Sequence, residues 1–253
     1  MILKGNVMLI EERHRMILEL LSEKPDITVR ELAKTLSVSE PTVRRDFTEL
    51  HERKLITKVW GGAILNQGTA DREIPFLLRE NEGSLAKSEM GKRAARLVED
   101  GMVIMLDGST SAYHLVPYLT DKKDIMVITS GAKTAVALAE ANIKTFSTGG
   151  KMIIHSFSYV GKSAEDFVKS INADILFFSC RGLDLSGNMT DRSIDEANLR
   201  RVMFEHCEKK VLLCSSEKIG KKYFYNMGHV GGIDEIISDK KLPEQLYSML
   251  KKH

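Results

Sequence analysis

No stretch of this sequence approaches the roughly 18–20 uncharged apolar residues that span a bilayer, which argues against a membrane-crossing helix. The opening MILKGNVMLIEERHR lacks a secretory pattern, because its short apolar stretch runs straight into charges, so a cytoplasmic location is expected. Cysteine is scarce. Cys180, Cys207 and Cys214 show no CxxC spacing, which argues against a disulfide framework or a zinc site. Reduced structural thiols are expected, with Cys180 and Cys214 at or near the ends of buried strands, and no metal or other cofactor is expected. A large excess of one charge is also missing. A net charge of +2 is too mild to identify a nucleic-acid partner from composition, since binders concentrate charge on one face. Tryptophan occurs once, at Trp60.

What is present is a chain of ordinary globular composition. With 43% hydrophobic and 28% charged residues it is not disordered, and 253 residues make one large domain or a small one plus a medium one. Residues 8–22 place Leu9, Ile10, Ile17, Leu20 and Leu21 near one stripe of a helix, with Glu11, Arg13 and Glu19 elsewhere. Pro25 and Asp26 punctuate its end. Thr28, with Glu31 three residues on, forms a capping-box pattern opening a second helix that buries Val29, Leu32, Ala33 and Leu36. After the turn Ser37-Val38-Ser39, Ser39 caps a third helix, and Pro41 is tolerated in its first turn. Val43, Phe47 and Leu50 face the core, which leaves Thr42, Arg44, Arg45 and Thr48 on outward or flanking faces. Hydroxyls and arginines at the front of such a helix suit base edges and phosphates, the alternative being a three-helix bundle with no nucleic-acid role in which Arg44 and Arg45 are solvated charges. Residues 55–59 then suit a strand, Gly61-Gly62 a tight turn and 63–65 a return strand. On this wing Lys58 is placed to neutralise a phosphate, and Trp60 to pack on sugar or simply on the third helix.

Residues 66–83 read as a hinge or a partly ordered connector, with the patch Ile74-Pro75-Phe76-Leu77-Leu78 docking on either domain or on a second subunit. From residue 84 the pattern changes. Strand candidates at 102–106, 125–129, 143–147, 174–179, 210–215 and 234–238 alternate with helical stretches. Strands apolar on both faces argue for a mostly parallel sheet covered on both sides, whose ligands bind at the carboxyl ends of the strands. Four loops there carry chemistry. Asp107-Gly108-Ser109-Thr110-Ser111 reads as a phosphate cradle or as a plain capped turn. Thr129-Ser130-Gly131 repeats hydroxyl and glycine, and Thr148-Gly149-Gly150-Lys151 offers amides and a cation or only a hairpin turn. In Cys180-Arg181-Gly182-Leu183-Asp184, Arg181 either clamps an anion or pairs with Asp184. If the loops converge, they suit a small polyhydroxylated phosphate.

The segment VSEPTVRRDFTELHERKLITKVWGGA resembles the winged-helix signature of the DeoR family of bacterial transcriptional regulators. The match includes Val38-Ser39, Thr42, Arg44-Arg45-Asp46 and Gly61-Gly62-Ala63. Trp60 departs from it, standing where the family usually has histidine or another polar residue, and Lys58 stands where arginine is common. The rest of the chain resembles the DeoR-type sensor domain, itself similar to ribose-5-phosphate isomerases. The matching residues are Lys87, LDGSTS at 106–111, TSG at 129–131, Gly149-Gly150, Gly161, Gly182-Leu183-Asp184, Asn188-Met189-Thr190 and Lys218-Ile219-Gly220. Ser130 replaces a usual asparagine and Ser215 a usual aspartate. The family's paired threonines correspond to Thr110 and Ser111, or are shifted by one.

The expected architecture is therefore an α+β winged helix-turn-helix in 1–65, a linker in 66–83 and an α/β sensor and oligomerisation domain in 84–253. The resemblance implies a repressor of carbohydrate genes controlled by a phosphorylated sugar or related metabolite, and the limited contact area of one winged helix leads to an expected dimer or tetramer on repeated half-sites of operator DNA. Expected DNA contacts are Thr28, Ser39, Pro41, Thr42, Arg44, Arg45, Lys58, Trp60 and Gly61. Expected effector contacts are Lys87, Asp107, Gly108, Ser109, Thr110, Ser111, Thr129, Ser130, Gly149, Gly150, Lys151, Arg181, Gly182, Asp184 and Lys218. The alternative is an isomerase-like sugar-phosphate enzyme using Lys87, Asp107, Asp184 and Lys218, although no carboxylate is clearly placed for proton abstraction. A third reading is a constitutive DNA binder whose second domain only oligomerises.

Overall fold

The structure, a computed structural model, describes residues 10–24, 27–53, 55–65 and 75–250, and the chain divides into two units between Glu82 and Gly83. In the first unit α1 (Ile10–Glu23), α2 (Val29–Thr35) and α3 (Glu40–Glu52) precede a hairpin of β1 (Ile56–Val59) and β2 (Gly62–Leu65). The helix starts follow their caps. The Thr28 hydroxyl accepts from the Glu31 amide while the Glu31 carboxylate accepts from the Thr28 amide, and Ser39 accepts from the Thr42 amide. Ile17, Leu18, Leu21, Leu32, Val43, Phe47 and Leu50 bury one core, closed by Ile56 and Ala63 of the hairpin. Each large side chain there contributes roughly 1.5–3 kcal/mol.

Several expectations shift. Ile10 is half exposed while Leu18 is buried, because the apolar stripe of α1 runs through Ile17, Leu18 and Leu21. Leu9, Pro25 and Asp26 lie outside the described residues. Arg13, expected away from the core, is buried. The hairpin turn is Trp60-Gly61 rather than Gly61-Gly62: Val59 pairs with Gly62, and Gly61 supplies the positive φ of +83°. Much of the 66–83 segment also lies outside the described residues, but α4 (Phe76–Asn81) is helical, with Phe76 buried and Leu77 and Leu78 packed on the winged-helix core.

The second unit is built on six strands in the order β13-β11-β8-β3-β4-β5, every pairing parallel. These are β3 (Val103–Leu106), β4 (Met126–Thr129), β5 (Lys144–Ser147), β8 (Ala173–Phe178), β11 (Cys207–Leu213) and β13 (Glu235–Ile237). Alternation along β8 sends Leu176 and Phe178 to one face, against α8 (Lys162–Lys169) and α9 (Ile194–Glu205). Ile175 and Phe177 go to the other, against α5 (Ser84–Ala94), α6 (Thr110–Tyr113) and α7 (Ala132–Glu140). Burial on both faces is why β3, β4 and β8 read as continuous apolar runs, whereas the edge strand β5, KTFS, is mostly exposed.

Two small antiparallel elements were not legible in the sequence. One is the hairpin β6 (Lys151–Ile153) with β7 (Ser158–Val160). The other is a sheet in the order β12-β10-β9, from Tyr225–His229, Asn188–Asp191 and Gly182–Leu183. The chain closes with α10 (Glu244–Met249). Among the described residues no helix is long and apolar enough to cross a membrane.

Candidate functional site

In the first unit α3 carries Arg44 and Arg45 exposed and Thr42 half-buried. Arg44 lies 3.8 Å from Glu40 one turn earlier, an exposed pair worth little in water. The hydroxyls of Thr28 and Ser39 are engaged in capping, and Ser39 Oγ also lies 2.8 Å from Thr42 Oγ1. Pro41 is exposed in the first turn of α3. Lys58 Nζ donates to Thr48 Oγ1 at 3.4 Å, and His51 Nδ1 lies 3.0 Å from the Ile56 carbonyl, so the wing is bound to α3. The Val29 amide donates to the Gly61 carbonyl, which binds the wing tip to α2. Trp60 does not pack on α3; its side chain stands wholly in solvent.

Behind α3 lies a buried ion cluster that sequence reasoning missed. Arg13 Nε and Nη2 donate to the Asp46 carboxylate at 2.6 and 2.8 Å, and His14 Nε2 lies 3.2 Å from Asp46 Oδ1. Asp46 is fully buried, so the cluster fixes how α3 sits on α1.

In the second unit the sheet's chain order places a switch point between β3 and β8, where ligands of parallel sheets bind at the carboxyl ends. Asp107, Gly108, Ser109, Thr110 and Ser111 are all buried at the end of β3, and Thr129 and Ser130 at the end of β4. These two loops touch: a Cβ on Gly131 would lie 3.2 Å from Gly108 Cα. The β7 start joins them, since the Tyr159 amide donates to the Ser130 carbonyl at 2.7 Å. A Cβ on Gly108 would fall 2.1 Å from Ser158 Oγ. Gly108, Ser130, Ser158, Glu196 and Arg200 line a narrow cavity of about 10 Å³, enough for one water molecule. Ser158, Glu196 and Arg200 were not foreseen. The buried hydroxyls of Ser111, Thr134, Ser156 and Ser158 have no hydrogen-bond partner within the described protein.

Other foreseen residues have structural partners. Asp107 Oδ1 accepts from the Ser109 amide, and Oδ2 accepts from the Ser179 amide and from Arg200 Nε. Arg200 Nη1 also donates to Asp191 at 2.7 Å. Burial works against the Arg200 charge, but Asp191 and Asp107 outweigh it and raise its pKa further. Ser109 caps the single turn of α6, its hydroxyl accepting from the Ala112 amide. Lys218 Nζ donates to Ser179 Oγ at 2.9 Å, which brings that lysine to the carboxyl edge.

Arg181 Nε lies 4.0 Å from Asp191 Oδ1. Asp184 holds its own turn, accepting from Ser186 and Asn188; burial pushes its carboxyl up, but these bonds hold it below the usual range. Gly182 lies in β9. Gly149 and Gly150 connect β5 to β6 rather than forming a hairpin turn, and exposed Lys151 pairs with Asp195. Lys87 is buried on α5. Cys180 and Cys214 are buried free thiols, and their mutual hydrogen bond together with burial holds the Cys180 thiol well above its usual range.

Comparison with known proteins gives matches over nearly the whole chain. A family model described as the DeoR C terminal sensor domain matches residues 83–240, and one described as the DeoR-like helix-turn-helix domain matches residues 13–69. The HTH-type transcriptional regulator GolR of Listeria innocua is 34% identical over 93% of this chain and 93% of that protein. The L-fucose operon activator of Haemophilus influenzae is 28% identical over 95% of this chain and 96% of that protein. Among solved structures, ribose 5-phosphate isomerase A from Methanocaldococcus jannaschii is 15% identical over 54% of this chain and 55% of that one, with a TM-score of 0.42.

Proposed function

The chain belongs to the DeoR family of transcriptional regulators, and we propose that its first unit reads an operator while its second unit sets operator occupancy by binding a phosphorylated sugar. The target genes are those of carbohydrate metabolism, as the name of the fucose-operon relative suggests for this group. DNA is reached through α3, with Thr42, Arg44 and Arg45 toward the major groove and Lys58 toward a phosphate. A single winged helix gains limited contact area, so a cytoplasmic dimer or tetramer on repeated half-sites is the working form.

One observation carries the effector reading. The partnerless buried hydroxyls Ser111, Thr134, Ser156 and Ser158 sit on the segments that follow β3, β4 and β6. An unsatisfied buried hydroxyl costs about 1–3 kcal/mol; the cavity beside Ser158 holds one water as it stands, so the loops must part before a polyhydroxylated ligand can supply the missing partners. Lys218 and the loop amides suit its phosphate. Regulation then requires that the ligand bind the DNA-competent and DNA-incompetent arrangements unequally.

Turnover is not part of this proposal. Both Asp107 and Asp184 are held by several donors, which leaves neither poised to take a proton from a substrate. A panel of phosphorylated sugars tested by thermal shift is expected to give stabilisation by one compound, reaching about 2.7 kcal/mol at a hundredfold excess over Kd. No shift across the panel removes the sensor reading and leaves an oligomerisation domain. Isomerisation of a pentose or hexose phosphate by the purified chain removes the regulator-only reading. In vitro selection of duplex sequences, followed by reporter assays, gives the operator and the sign of control.

A further inference from the structure

The tip of the wing is apolar and exposed, and its backbone is hydrogen-bonded to the start of α2. Trp60 is 104% exposed, the preceding Val59 is 42% exposed, and Ile64, paired with Thr57 further down the hairpin, is 48% exposed. Nothing in the first unit's core needs the indole there, and the family resemblance leads one to expect a polar residue at that position. The backbone beneath it is fixed at three points: the Val29 amide bonds the Gly61 carbonyl at 3.0 Å, Thr28 bridges to Gly62, and Val59 pairs with Gly62. A Cβ on Gly62 would stand 3.1 Å from the Ile27 carbonyl, so the hairpin fits tightly against the start of α2. The indole is therefore presented on a stiff support.

The surroundings name the occupant. Lys58, on β1 two residues before Trp60, donates to Thr48 of α3, so the wing is joined to the helix that exposes Arg44 and Arg45. An apolar wedge next to cations that neutralise phosphates suits a duplex better than a protein surface. We propose that Trp60 enters the minor groove beside the site read by α3 and presses between or against its base steps. This chain thereby selects operators partly by how easily the flanking DNA deforms. The proposal rests on the first unit being a DNA reader and adds a contact that carries no charge.

The test uses the full chain and a duplex obtained by in vitro selection. Trp60 is the only tryptophan, so intrinsic emission reports on this one side chain. Emission is expected to be quenched at saturating duplex. Trp60→Ala is expected to weaken binding about tenfold, with Trp60→Phe in between. The salt slope should stay that of the wild type, whereas Lys58→Ala should lower it by about 1. Replacing a flexible TA or CA step in the flank by a stiff A-tract should weaken the wild type, and the alanine variant should not distinguish the two flanks.

Equal denaturant midpoints for wild type and Trp60→Ala establish that folding is unaffected. The proposal fails if emission is unchanged at saturation or if the alanine variant keeps wild-type affinity and flank preference. It also fails if emission shifts with protein concentration in the absence of DNA, which would put a second copy on the tip. If Arg44→Ala and Arg45→Ala lose affinity while Trp60→Ala does not, the DNA reader stands and only the wedge falls.

Discussion

Arg200 on α9 donates through Nε to Asp107 at the end of β3, at 2.7 Å, with both side chains buried. The same guanidinium bonds Asp191 of β10, so one cation joins the central sheet, the antiparallel sheet and a helix. Removing it strands two carboxylates in the interior. Arg200→Met should cost about 3–5 kcal/mol in urea unfolding, and adding Asp107→Asn with Asp191→Asn should recover part of that loss. A single variant as stable as the parent would mean the cluster is solvated.

The contact between Gly108 and Ser158 gives a variant that separates ligand response from DNA binding. A Cβ at residue 108 would fall 2.1 Å from Ser158 Oγ and 3.0 Å from its Cβ. Gly108→Ala should destabilise the second unit by about 1–3 kcal/mol and abolish the thermal shift given by the sugar phosphate, while operator affinity without ligand stays unchanged. Pairing it with Ser158→Gly should restore part of the shift. If Gly108→Ala responds to ligand like the parent, the effector lies elsewhere on the edge.

On α3, changing Arg44 or Arg45 to alanine should weaken operator binding by about 1–3 kcal/mol where the side chain reads a base. For a side chain that meets only a phosphate, affinity should fall evenly across sequences and the salt slope should drop by about 1. Titrations at several salt concentrations distinguish the two, and unchanged affinity and slope in both variants would mean α3 is not the reading helix.

The capping box of α2 predicts a pH dependence. The bond from Lys24, followed by those from the Thr28 amide and hydroxyl, holds the Glu31 carboxyl down to about 2 from its usual 4.5. A depressed carboxylate stabilises the fold above its unfolded value, and that contribution fades as pH falls from about 4.5 toward 2. The stability advantage of the parent over Glu31→Gln should therefore shrink across that window. A difference that stays constant with pH would remove the charge from the explanation.

The periodic parts of this fold were legible in the sequence. Val43, Phe47 and Leu50 recur at helical spacing and are buried, and the inner strands β3, β4 and β8 show as apolar runs because both faces are covered. The buried charges were hidden, although a signal existed. Asp46 sits on the same stripe as Val43 and Leu50, and Arg200 shares one with Glu196 and Met203, yet a charged residue in a helix is read by default as solvated. Its partner is far off in sequence, 33 positions for Arg13 with Asp46 and 93 for Arg200 with Asp107. The segments NMTD and YNMGH of the antiparallel sheet have no apolar run to mark them as strands. Ser158 escaped notice because its neighbours come from loops that only the closed sheet brings together.

The strand that the second unit makes first, β3, ends up in the middle of its sheet, paired with β4 on one side and β8 on the other. During synthesis its second edge must stay open until Ala173–Phe178 has left the ribosome. An apolar strand with unpaired amides is a template for wrong pairing. Mispairing is therefore expected to concentrate in the interval between those two strands, and slowing translation there should raise the fraction that aggregates.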